Sequence, residues 1–173
     1  MELLECRLSV DDLDAFVSRL GEIGDDHGVT IQAFDARYVA DRNHLERAVE
    51  LADRSIERGE NVARDRAVEI LLYAAGRRQI DRALEMGVGE GGNRAVILIA
   101  GDETSEVDDA RESAALEALE ELEAVASLEA TLAEPDERTL CDFFEITDAE
   151  RAATDASLSA LVRERVALLE VEK

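Results

Sequence analysis

Residues 66–100 read RAVEILLYAAGRRQIDRALEMGVGEGGNRAVILIA, and the change of pattern inside that stretch sets the fold class. Its first part predicts a helix over 64–75. Val68, Ile70, Leu71, Leu72, Ala74 and Ala75 make that helix apolar nearly all round, so it is expected to be the most buried one. Gly76 interrupts the pattern. A further helix is expected over 77–86, with Gly87 as its C-terminal cap. Residues 94–100 then form a continuous apolar run of strand length, read as a central strand. The glycines at 87–92 invite comparison with a nucleotide loop, but such loops follow a strand and open a helix. This run follows a helix, precedes a strand and lacks Lys-Ser/Thr, so it reads as a helix-to-strand turn.

Outward from this centre, Leu4, Cys6 and Leu8 alternate with polar residues and predict a half-buried strand. Ser9 is placed as the N-cap of a helix carrying Leu13, Phe16, Val17 and Leu20, with Gly21 and Gly24 at its end. Residues 29–34 are rich in β-formers and read as a second strand. Leu45, Ala48, Val49, Ala52 and Ile56 repeat at three and four, an amphipathic helix ending at Gly59. Beyond Gly101, residues 110–126 predict a helix, and Leu128, Ala130 and Leu132 a short edge strand. Pro135 starts a helix with Leu140, Phe143 and Phe144, and Thr147-Asp148-Ala149-Glu150 matches a capping box. The last helix carries Leu158, Leu161, Val162, Leu168 and Leu169. The expected fold is α+β: a small mixed sheet with helices packed around it, a helical C-terminal part, and a single domain over 1–173.

Charge is distributed unevenly. The chain holds 19 Lys+Arg against 42 Asp+Glu, a net −23, yet residues 37–94 contain eleven Arg and eleven acids. That neutral island is where an anionic partner would land. A hydrophobic content of 46% excludes a disordered acidic tail, and an aromatic content of 3% leaves the core to Leu, Ile, Val and Ala. Apolar runs are too short to span a bilayer, and the N-terminus lacks the basic segment of a secretion signal. Two isolated cysteines, Cys6 and Cys141, fit a reducing, cytoplasmic setting. With one lysine, Lys173, and a pI near 4.3, the composition resembles adaptation to a salt-rich cytoplasm. About 1 M salt screens charge within about 3 Å, whereas low salt should destabilise the fold. A functional acidity, as in a nucleic-acid mimic or an adaptor for a basic partner, is the rival reading.

Catalytic chemistry is not apparent. His27 and His44 have no neighbours at metal-ligand spacing, and both read as solvated structural residues. Cys6 and Cys141 read as small buried hydrophobes. No metal or cofactor is expected. Five arginines do cluster: Arg64, Arg66, Arg77, Arg78 and Arg82. One account is a surface laced with local ion pairs, each worth about 0–1 kcal/mol. The other is an anion site. Arg78 and Arg82 would share one helix face, and a helix starting at Gly76-Arg77 would offer its N–H groups to phosphate.

The run 66–88 also resembles the core signature of a known family, the TPRKB-like, tRNA-recruiting subunit of the KEOPS (EKC) complex. In that pattern a helix E-I-L-L-Y precedes a small turn, R-Q-I, then A-L-x-x-x-G-[IV] and an apolar strand. Upstream, I-Q-A-F-D-A-R-Y-V-A at 31–40 is similar to the family's strand-to-helix lead; downstream, F-F-E-I-T-D-A-E at 143–150 is similar to its segment before the terminal helix. The resemblance covers about residues 30–170 and implies a sheet with surrounding helices. It further implies a non-catalytic subunit of the complex that installs threonylcarbamoyl on an adenosine beside the anticodon of certain tRNAs. Such a subunit binds the complex's small atypical kinase/ATPase and recruits tRNA through its single-stranded 3′ CCA end. On this resemblance the expected tRNA-binding residues are Arg64, Arg66, Arg77, Arg78, Gln79 and Arg82. Leu158, Leu161, Val162 and Leu168 form either a kinase-docking stripe or core. A protein–protein adaptor without RNA contact and an enzyme on a nucleotide or acyl substrate are the rivals.

Overall fold

A computed structural model describes residues 1–102 and 105–172. Glu103, Thr104 and Lys173 lie outside them. In chain order the elements are β1 (Glu2–Val10), α1 (Leu13–His27), β2 (Thr30–Asp35), α2 (Arg42–Glu57), α3 (Arg66–Ala75), α4 (Ile80–Ala83), β3 (Gly91–Ala100), α5 (Glu106–Glu120), β4 (Val125–Leu128), α6 (Glu137–Phe144), α7 (Asp148–Ala152) and α8 (Leu158–Glu172). The fold is α+β with a helical C-terminal part. Two compact units divide the chain: Met1–Ala36 with Gly87–Ala133, and Arg37–Met86 with Glu134–Lys173.

The first unit is built on a four-stranded sheet in the order β2-β3-β1-β4. A mixed sheet was the expectation; its pairings are all antiparallel. With α1 joining β1 to β2 and α5 joining β3 to β4, this is a split βαβ arrangement. The second unit's first segment is inserted between β2 and β3. Residues 95–100 are all buried, which is why the central strand carries an unbroken apolar run. Leu4, Cys6, Leu8 and Val10 of β1, with Ala95, Ile97 and Ile99 of β3, pack with Phe16, Leu20 and Ile23 of α1 and with Ala115 and Leu119 of α5. Burial pushes the Cys6 thiol up to about 11, so it stays protonated and serves as a small apolar side chain.

Several boundaries differ from the sequence reading. Asp12, not Ser9, caps α1, its carboxylate accepting from Ala15 N at 3.1 Å, because Ser9 still pairs within β1. Helix α1 runs through Gly21 and Gly24 to His27, and Gly28 in the left-handed region (φ 67°) closes it. Gly24 is needed for close approach, since a Cβ there would lie 2.8 Å from the Val29 carbonyl oxygen. Ser105 caps α5, with Glu106, Asp108 and Asp109 in its first turn, so the helix starts and ends earlier than periodicity alone predicted. The edge strand β4 shifts accordingly. Beyond it, Thr131 Oγ1 donates to the Ala95 carbonyl at 2.8 Å and Glu5 accepts from Leu132 N at 2.7 Å.

In the second unit α2 packs along α3 and α8. Residues 69–75 of α3 are buried without exception, as its all-round apolar pattern predicted. His44 overturns the solvated reading: it is fully buried. Its Nδ1 accepts from Ala40 N at 3.1 Å, which leaves the proton on Nε2 to bond the Ala74 carbonyl at 2.8 Å. Burial lowers its pKa to about 4. Glu69 is also fully buried; its carboxylate accepts from Ala63 N at 2.8 Å, Val62 N at 3.1 Å and Ser55 Oγ at 3.3 Å.

The expected helix over 77–86 is the main correction. Gly76 adopts φ 61° and closes α3 in a Schellman arrangement, with Gly76 N bonded to the Tyr73 carbonyl and Arg77 N to the Leu72 carbonyl, both at 3.0 Å. Arg77 therefore completes the end of α3 and does not open a new helix. Helix α4 begins at Ile80, lasts one turn and passes into a 3₁₀ turn at Leu84–Met86. Such an ending needs no left-handed cap at Gly87. Nor is there a helix face shared by Arg78 and Arg82, or a helix N-terminus at Arg77 for phosphate. Thr147 caps α7 from the predicted box, accepting from Glu150 N at 3.1 Å, while the Glu150 carboxylate turns to Arg165 at 2.5 Å. Arg165 also donates to the carbonyls of Phe144 (3.1 Å) and Glu145 (3.3 Å), tying α8 to the end of α6.

Candidate functional site

The six residues expected to meet RNA all lie in the second unit and divide by what already engages them. Arg66 grips Asp53 of α2 with Nε and Nη2 at 2.7 and 2.9 Å, and its side chain is only 15% exposed. A bidentate fork committed in this way is a structural clamp. Arg64 is exposed, in the loop that the buried Glu69 carboxylate fastens through Val62 and Ala63. Arg78 and Gln79 are exposed after the α3 cap, and Gln79 starts α4 without a side-chain cap bond. Arg82 is 56% exposed with Glu85 at 3.3 Å.

Arg77 and Arg82 come together along a cleft of about 350 Å³, which Arg64, Arg66, Arg78 and Gln79 do not line. Tyr38 and Phe143 supply its aromatic wall, packed edge to face at 5.2 Å. Arg77 is half-buried there. Its Nη2 donates to the Phe143 carbonyl, and its guanidinium carbon lies 4.9 Å from the centre of the Phe143 ring. The cation is thus a fixed flat plate on an aromatic base. Glu85, Asp142 and Glu145 also line the cleft, so three carboxylates stand against two guanidinium groups. Tyr38 and Phe143 were not singled out as site residues from sequence. The available signal was that both fall in the two flanking segments, 31–40 and 143–150.

The stripe on α8 separates as well. Leu161 and Val162 are core, buried with Val166 and Leu169, and present no docking surface. With Val166 and Leu169 at helical spacing from them, and with Arg165 tying α8 to α6, that face is turned inward. Leu158 is half-buried, whereas Leu168 is 45% exposed and Val171, one turn on, is 81% exposed. Glu170 on the same turns meets Arg58 at 3.2 Å and Arg54 at 3.5 Å. Among the described residues no three His, Cys, Asp or Glu side chains are grouped to hold a metal ion, and no helix is long and apolar enough to cross a membrane.

No curated protein matches the sequence as a relative. One family does match, over residues 14–170, a span that takes in the cleft, α3 and most of α8. The chain belongs to that family, which is described as kinase binding protein CGI-121.

Proposed function

We propose that the protein is a non-catalytic, cytoplasmic subunit of the KEOPS tRNA-modification complex, binding the complex's small atypical kinase/ATPase and recruiting tRNA through its 3′ CCA end for threonylcarbamoyladenosine synthesis. The family match supports the kinase half. For the RNA half, the carrying observation is the cleft with Arg77 fixed over Phe143, because planar cations and aromatic rings are what unstacked bases rest on. Arg64, Arg78, Gln79 and Arg82 are exposed on the same unit, where phosphates and base edges can reach them. Arg66 serves by holding α3 to α2. Both units act as one family domain over 1–173, in a salt-rich cell where counterion release drives little binding and stacking carries more of it.

The kinase meets the exposed apolar end of α8 at Leu168; Leu158, half-buried, lies at the other end of the helix, about 15 Å away along its axis. Arg64, Arg78 and Arg82 changed together to Ala should weaken tRNA binding at high salt at least about tenfold while kinase co-purification persists. Leu168→Glu should do the reverse. Unchanged tRNA affinity in the triple variant, or equal binding of a tRNA trimmed of CCA, sinks the RNA half. A second reading, an acidic adaptor without RNA contact, draws on the commitment of Arg66 to Asp53 and on the excess of carboxylates in the cleft.

A further inference from the structure

The cleft is built from three stretches of the second unit: the Tyr38 wall, the end of α3 next to Arg77, and Phe143 near the end of α6. One fully buried side chain is bonded to or packed beside all three. His44 Nδ1 accepts from Ala40 N at 3.1 Å, two residues past Tyr38. Its Nε2 donates to the Ala74 carbonyl at 2.8 Å, in the last turn of α3 and three residues before Arg77. Its ring meets Phe144 edge to face at 5.6 Å, Phe144 meets Phe143 in the same way at 5.0 Å, and Phe143 meets Tyr38 at 5.2 Å. A backbone amide only donates and a carbonyl only accepts, so a single neutral tautomer serves both bonds. The two bonds differ in consequence. Arg77 keeps its place without the Ala74 bond, because Gly76 N and Arg77 N close α3 on the Tyr73 and Leu72 carbonyls. Ala40 is 5% exposed, so its amide has little water to turn to once the ring nitrogen is lost. We propose that His44 is a positioning residue of the cleft: through the Ala40 amide it holds the Tyr38 wall against Phe143, and so fixes the surface that an unstacked base meets. This rests on the RNA-binding reading above.

Two amide side chains separate the two bonds, since an Asn amide reaches about as far as Nδ1 and a Gln amide about as far as Nε2. His44→Asn keeps an acceptor for Ala40, and His44→Gln keeps a donor for Ala74. The chain has two Tyr and no Trp, and Tyr73 is fully buried, so quenching of tyrosine emission by acrylamide reports Tyr38. The full chain is measured at high salt with a short single-stranded RNA, and urea unfolding gives the stability of each variant. His44→Gln should raise the quenching and weaken RNA binding about tenfold, while His44→Asn stays within about threefold of the parent at a similar loss of stability. Should the Gln form not fold, His44→Phe, which keeps the ring and loses both bonds, should show the same two effects. Equal quenching and equal affinity in the Asn and Gln forms, whether both kept or both lost, overturn the positioning role. A loosened Tyr38 with unchanged RNA affinity overturns the link to binding. If the parent binds no RNA yet quenching still separates the two variants, the RNA-binding reading falls and the hold of His44 on the wall stands.

Discussion

The two units carry equal numbers of acidic residues, 21 each, but 4 basic residues in the sheet unit against 15 in the helical one. Their net charges are therefore −17 and −6, and the whole difference lies in arginine and the one lysine. Acidity is a background common to both; cation placement is the local signal. In the sheet unit the interior is an apolar layer between α1, α5 and the strands, and the buried polar residues Asp108, Glu112 and Thr131 lie outside that layer. In the helical unit, charged and polar groups are built into the packing: Arg66 on Asp53, Glu69 under the Val62–Ala63 amides, His44 between two backbone groups. Self-repulsion should thus threaten the first unit more, whereas the second depends on polar groups set between its packed helices, Glu69 and His44 above all.

The largest effect should come from dilution of salt. Going from about 1 M to about 0.1 M lengthens the screening distance from about 3 to about 10 Å. Amide hydrogen exchange should then speed up first in β1 and α5, with α3 holding longer. Equal loss in both units would break the contrast. Next comes Glu69→Ala, which strips the acceptor from two amides and the Ser55 hydroxyl; unfolding by urea should show a loss of about 4 kcal/mol. A loss below about 1 kcal/mol would mean the carboxylate is dispensable.

The smallest of the three is a pH effect of His44. Its folded pKa, about 4, lies below the ordinary 6.5, so the unfolded chain takes up the proton first as pH falls. The associated stability is intact above pH 6.5, declines between 6.5 and about 4, and is flat below that. The total is about 3 kcal/mol at roughly 1.4 per pH unit. Comparing the pH profile of the parent with that of His44→Gln isolates the term; superimposable profiles would remove it.

Much of this contrast could be read from the chain, and the failures have identifiable causes. The run at 95–100 and the all-round apolar helix at 66–75 were legible because burial on every side leaves no polar positions to confuse the period. The order of the sheet was not, since β1 and β2 pair with β3 rather than with each other. Helix α4 was overread because composition continues smoothly past Gly76 while the backbone reverses there. In α2, extending the spacing of Ala48 backward by four reaches His44, and Leu51 forward by four reaches Ser55; both are buried. A polar residue on such a face, like Glu69 within an otherwise apolar helix, signals an internal hydrogen bond. Of the site, the arginines were visible in the sequence. Which of them were already engaged was not, because Asp53 and Phe143 lie far from their partners along the chain.

The placement of the helical insert has a consequence for synthesis. On the ribosome β1 and β2 emerge early, yet their common neighbour β3 follows only after residues 37–86 have been translated. Until then both leave their ladder edges open, at a stage when strand edges invite pairing with other nascent chains. Alternation in β1 softens that hazard with exposed Arg7 and Ser9, but β2 offers Ile31, Ala33 and Phe34 in close succession. The interval before β3 appears is therefore the moment at which this chain most needs a chaperone.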